Sequence, residues 1–83
     1  MTVTRKEVKM VFDYSRLRGK IVEVCGSRKA FAERAGMAYI TLLNKTANRS
    51  QWTQAEIVEA CSILGIDCSE IPDYFFVRRV KKL

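Results

Sequence analysis

Few side chains in this sequence could do covalent or metal chemistry, and their spacing is poor for it. The three cysteines, Cys25, Cys61 and Cys68, are odd in number, lie in otherwise apolar stretches and lack paired ligand spacing, and the chain contains no histidine. Without histidine no Ser/His or Cys/His pair can activate a nucleophile. No glycine-rich phosphate loop is present, and the carboxylates are scattered singly. The expectation is a protein that is not an enzyme, takes no cofactor and no metal, and keeps its cysteines reduced in or near the core. Function must then come from the surface, from charge and shape.

The charge is distributed unevenly. Residues 16–52 carry eight Lys or Arg against two acids, residues 53–77 carry five acids and no base, and residues 78–83 add four bases, within a net charge of +6. A basic middle beside an acidic segment suggests a polyanion-binding face with an opposite face turned away from it. A solvated surface with ordinary clustering is the plainer alternative.

Eighty-three residues, about half of them apolar, suffice for one compact domain with a single core. No apolar run approaches the roughly 18 residues needed to span a bilayer, and MTVTRKEVKMVF lacks the apolar stretch of a signal peptide, so a cytoplasmic protein with no membrane partner is expected.

The elements that must position any binding face are short helices. In YSRLRGKIVEVCG the apolar residues Leu17, Ile21 and Val24 recur at helical spacing, with Asp13 as a plausible N-cap, Phe12 and Leu17 as a hydrophobic staple and Gly26 as the stop. Ser27 can cap a second helix, RKAFAERA, whose Ala30, Phe31 and Ala35 face inward before Gly36 ends it. A tight turn leads to AYITLLNK, anchored by Leu42. In WTQAEIVEACSILG, Thr53 and Glu56 form a capping box, Trp52 and Ile57 a staple, and Gly65 a terminator. Beyond it Pro72 should end any helix, and residues 74–80, rich in aromatic and β-branched side chains, read as a short strand or extended arm. VKMVF near the N-terminus has a similar look, so the two ends could pair.

Two short helices joined by a glycine turn, resting on a helix before and a helix after, match the helix-turn-helix that seats its second helix in the DNA major groove. Glycine permits the backbone of the turn, and bulky residues at Ala32 or Gly36 would push the helices apart. Here the chain resembles the small Cro-type and lambda-repressor-like helix-turn-helix proteins of temperate bacteriophages and prophages. The likeness rests on RKAFAERAGMAYITLLNK, with Phe31, Ala32, Gly36, Met37 and Leu42 at core spacing, and extends through FDYSRLRGKI, WTQAEI and IPDYFF to cover about residues 10–77. It implies a mostly α fold of four or five helices with a short C-terminal strand or arm. Similar proteins begin near MxFDYS, which makes residues 1–9 an N-terminal extension and 10–83 a single DNA-binding domain. Two positions depart from the pattern. Ala38 replaces the usual Ser or Thr cap of the recognition helix, at a cost of about 1 kcal/mol, and Lys45 replaces an apolar residue, which leaves open whether Leu43 points to protein or to DNA.

Carried over residue by residue, the resemblance puts Tyr39, Ile40 and Asn44 toward the bases. Asn can pair bidentately with adenine, Ile can pack on a thymine methyl, and Tyr can reach a phosphate or a base edge. Arg28 and Lys29 would meet phosphate at the positive end of their helix, and Lys45, Asn48, Arg49 and Ser50 would meet the backbone on the other side.

One short helix offers two or three base contacts at about 1–3 kcal/mol each, too little for the affinity of specific binding, so a dimer on a near-palindromic operator is expected. Tyr74, Phe75 and Phe76 are the expected dimer contacts, the alternative being that residues 74–80 fold back on their own domain. The expected function is thus a Cro-type phage or prophage repressor that binds double-stranded DNA as a homodimer, cytoplasmic and nucleoid-associated in a bacterial host. The rival is a protein-interaction module that modulates a larger repressor without reading DNA.

Overall fold

The computed structural model describes residues 11–79. The expected N-terminal extension, residues 1–9, lies outside them, as does Val80. Five helices follow in order, α1 Ser15–Cys25, α2 Arg28–Ala35, α3 Tyr39–Thr46, α4 Gln54–Leu64 and α5 Ile71–Phe75, with a single 3-10 turn at Cys68–Glu70 before the last.

Local chemistry sets most of the boundaries. The Ser27 hydroxyl accepts from the Ala30 N–H at 3.0 Å to open α2. Thr53 and Glu56 cap α4 reciprocally, the Glu56 N–H donating to the Thr53 hydroxyl at 3.1 Å and the Thr53 N–H to the Glu56 carboxylate at 2.8 Å. Asp13 does its capping from one residue earlier than expected: α1 has Tyr14 at its N-cap, and the Asp13 carboxylate accepts from the Ser15 N–H and hydroxyl at 2.9 and 2.7 Å.

Gly36 closes α2 in the left-handed conformation at φ 70°, and the next N–H, of Met37, donates back to the Ala32 carbonyl at 2.9 Å. A Cβ built on Gly36 would meet nothing within 4 Å, so glycine is required there by backbone angle, not by the closeness of α2 and α3. Ala32, by contrast, is buried.

Each helix gives its apolar face to one core. Leu17 and Ile21 of α1, Phe31 of α2, Leu42 of α3, Leu64 of α4 and Tyr74 and Phe75 of α5 belong to it, together with Tyr14. The Phe75 ring meets Trp52 edge-on at 5.1 Å between centroids.

The C-terminal segment departs from expectation. Pro72 sits in the first turn of α5, after Ile71, instead of ending a helix, because that turn has no intrahelical use for the N–H that proline lacks. Tyr74 and Phe75 therefore lie on a helix and are buried in their own domain, which removes them as dimer contacts, whereas Phe76 is 52% exposed. Among the described residues, 11–13 and 77–79 meet through an antiparallel bridge between Phe12 and Arg78, with the Asp13 N–H donating to the Val77 carbonyl at 2.7 Å and the Arg79 N–H to the Val11 carbonyl at 2.8 Å.

Candidate functional site

The inner face of α3 is set by Leu42, Lys45 and Thr46, three and four residues apart and all buried. That fixes the outer face. Tyr39 and Ile40 stand exposed on it, Ile40 at 60%, and Leu43 and Ala47 continue the same stripe one and two turns on from Tyr39. Leu43 is half-buried. Ala38 occupies the N-cap in an extended conformation with no side-chain bond to the helix, so the start of α3 is held by packing and by the Ala38 carbonyl, which accepts from the Thr41 and Leu42 N–H groups at 3.0 and 3.2 Å.

The polar residues expected on this face are engaged within the chain. Asn44 accepts from the Arg49 Nε at 3.0 Å through its side-chain oxygen, and it is half-buried. Lys45 is only 6% exposed: its ammonium donates to the Gln51 carbonyl at 2.8 Å and pairs with the Glu56 carboxylate at 2.9 Å. It therefore fills the apolar position with its stem and neutralises its head inside, so the expectation that Lys45 meets a phosphate is replaced by a structural role.

Asn48 is likewise structural. It takes a left-handed backbone at φ 65°, and its amide clamps the peptide of Phe12, accepting from the Phe12 N–H at 2.8 Å and donating to the Phe12 carbonyl at 2.9 Å. One side chain thus supplies both bonds that a neighbouring strand would offer, tying the α3–α4 loop to the N-terminal segment, so its orientation is set within the chain. Asn48→Ala should lower unfolding free energy by about 1–3 kcal/mol, since two partly buried peptide groups lose their partner and alanine tolerates the backbone angle poorly. Urea denaturation followed by circular dichroism reads this directly; an unchanged midpoint would contradict the clamp.

Of the remaining expected phosphate contacts, Lys29, Arg49 and Ser50 are exposed and Arg28 is half-buried. Arg28 and Arg49 share a cleft of about 510 Å³ with Arg18 and Arg79, two residues that sequence reasoning did not single out. No local pattern joins these four positions; the fold brings them together from α1, α2, the α3–α4 loop and the C-terminal segment.

The Lys45–Glu56 pair ties the site to pH. Partial burial acts to raise the Glu56 carboxyl, but the Thr53 N–H, the Lys45 ammonium and the Thr53 hydroxyl outweigh it and hold the group below its ordinary value. A carboxyl lowered on folding contributes stability that is fully present above its unfolded value and is lost as pH falls through the folded one. Melting temperature should therefore be flat above about pH 5 and decline below about pH 4, and Glu56→Gln should reduce that decline. Thermal melts of both proteins across this range test the point; parallel acid profiles would remove Glu56 from the account.

Fold and face together define a small all-helical domain built on a helix-turn-helix unit, with an apolar outer stripe on the second helix of that unit. The chain belongs to the family described as a protein of unknown function, DUF739, which matches residues 10–78. It is similar to the modulator of repression of the temperate bacteriophage TP901-1 from Lactococcus lactis, whose solution structure superimposes with a TM-score of 0.72 at 38% sequence identity over 83% of this chain and 93% of that one. The likeness thus runs to a phage modulator of repression and not to the Cro-type proteins that the sequence resembles. No curated protein sequence matches the chain. Among the described residues no helix is long and apolar enough to cross a membrane.

Proposed function

We propose that this protein is a phage regulatory protein that binds a larger repressor and modulates it, without itself reading an operator. The observation that carries the reading is the outer face of α3. Tyr39, Ile40, Leu43 and Ala47 present apolar surface there, while Asn44 is held by Arg49 and Lys45 points inward. Base recognition needs free donors and acceptors at the groove edge, whereas an exposed aromatic and aliphatic patch flanked by charge suits a protein surface. The similarity to a phage modulator of repression supports the same choice.

A second reading, operator binding, draws on the helix-turn-helix arrangement and on the exposed cations Lys29 and Arg49 beside it. Titrating the protein into the repressor encoded by the same phage or prophage, with and without that repressor's operator duplex, separates the two. The proposal expects a complex with the repressor and altered operator occupancy, and no shift of the duplex by this protein alone at physiological salt. A sequence-specific shift of the duplex with no repressor complex would overturn it.

A further inference from the structure

The cleft between α1, α2, the α3–α4 loop and the C-terminal segment gathers Arg18, Arg28, Arg49 and Arg79, and no carboxylate lines it. Four guanidinium groups around one concavity repel one another, a cost that a carboxylate, a bound anion or solvent offsets. Asp13 nearby offsets part of the charge of Arg18 and Arg79, and one of its carboxylate oxygens is engaged by Ser15. None of the four arginines forms a salt bridge among the described residues.

The lining between the arginines is mixed: Thr46 and Asn48 contribute polar groups, and Leu43 and Ala47 carry into the cleft the stripe that begins at Tyr39 and Ile40. A ligand lying along α3 would therefore meet apolar surface first and arginines at the far end. A nucleic-acid backbone presents charge along its whole edge and has no apolar side for the stripe, whereas an amphipathic protein segment can match both parts. Arginine suits such a place, since its guanidinium is weakly hydrated, packs on apolar surface and grips carboxylates bidentately.

We propose that this cleft receives the carboxylates of an acidic, amphipathic segment of the protein partner, whose apolar side lies on Tyr39, Ile40 and Leu43. The inference rests on the partner reading above and specifies the chemistry of the partner's contact.

The test titrates the full ¹⁵N-labelled chain with three probes: an amphipathic peptide of leucine and glutamate at helical spacing, the same peptide with glutamine for glutamate, and a short random-sequence DNA duplex. The amides of Leu43 and Ala47 and the side-chain Nε–H signals of the four arginines should shift with the glutamate peptide, which should bind about tenfold more tightly than its glutamine form. Arg18→Gln/Arg28→Gln/Arg49→Gln should lose about tenfold for that peptide and for the phage repressor, while Lys20→Gln/Lys29→Gln/Arg34→Gln, equal in charge removed, should lose about twofold. Circular dichroism confirms that both variants remain folded. Duplex binding tighter than the glutamate peptide, and abolished by the cleft variant, would overturn the proposal in favour of nucleic acid. A repressor bound equally by wild type and cleft variant would overturn the cleft while leaving the function standing. Peptide binding at the cleft with no repressor complex would retain the cleft and remove the function.

Discussion

Phe75→Ala should lose most of the protein's stability, whereas Phe76→Ala, one residue on, should melt within a few degrees of wild type. Phe75 is 2% exposed, lies edge-on to Trp52 and fills the core between α5 and the rest of the bundle. Removing a buried phenyl ring costs about 3–5 kcal/mol, because the cavity collapses only in part. Domains typically have about 5–15 kcal/mol in total, and a chain this short falls toward the lower end. Phe76 is more than half exposed and touches only the rim, its ring 6.4 Å from that of Phe12, so its loss should cost under about 1 kcal/mol. Thermal and urea unfolding of the two variants give the comparison. Equal losses would mean that both rings are covered alike, as on a strand buried on both faces, and would contradict the placement of Phe75 inside and Phe76 outside at the end of α5.

That expectation shows what a sequence makes readable. Ser27, Thr53 with Glu56, and the glycines at 26, 36 and 65 were legible because each acts within a few residues of itself: a cap bonds the next turn, and a left-handed angle is a property of one residue. The aromatic run at 74–77 reads as a strand because β-propensity describes a fit to a half-buried pleated surface, while in the fold Phe75 packs on Trp52 and α5 lies against α1. Pro72 reads as a terminator in the sequence, although the same ring favours a helix start. Only the burial of Tyr74 and Phe75 decides between those uses, and burial is set by distant residues.

The site was legible to a similar depth. The outward placement of Ile40 follows from its two-residue offset to the anchor Leu42, which puts it on the opposite side of α3, whereas Tyr39, three residues before that anchor, is exposed although such spacing points inward. The same offset holds a signal for Lys45: three residues after a core leucine on a short helix, it points inward, and Glu56 waits there already fixed by Thr53. Asn48 had no such signal. Its partner is Phe12, thirty-six positions away in sequence, and nothing in TANRSQ distinguishes a clamp from a surface amide. The arginine cleft was hidden for the same reason, since net charge along the chain does not say which cations share a concavity.

Ile40→Asp should abolish repressor binding, by about a hundredfold or more, without disturbing the fold. At 60% exposed the side chain contributes little to the monomer's core, so its melting temperature should hold within a few degrees. Burying an isoleucine against a partner is worth about 1.5–3 kcal/mol, and an aspartate there must in addition be desolvated without a partner, which brings the total past the roughly 2.7 kcal/mol that a hundredfold requires. Ile40→Ala removes only the apolar area and should cost about tenfold. Asn44→Ala is the discriminating companion, because its amide oxygen is occupied by Arg49. Under the partner reading it should change repressor binding by less than about threefold, whereas operator reading would require it to cost about 1–3 kcal/mol on the preferred duplex and almost nothing on random DNA. Sedimentation of the repressor with each variant, beside duplex titrations at two salt concentrations, supplies both measurements. Full repressor binding by Ile40→Asp, together with a sequence-specific DNA defect in Asn44→Ala, would return α3 to the major groove and end the case for a modulator.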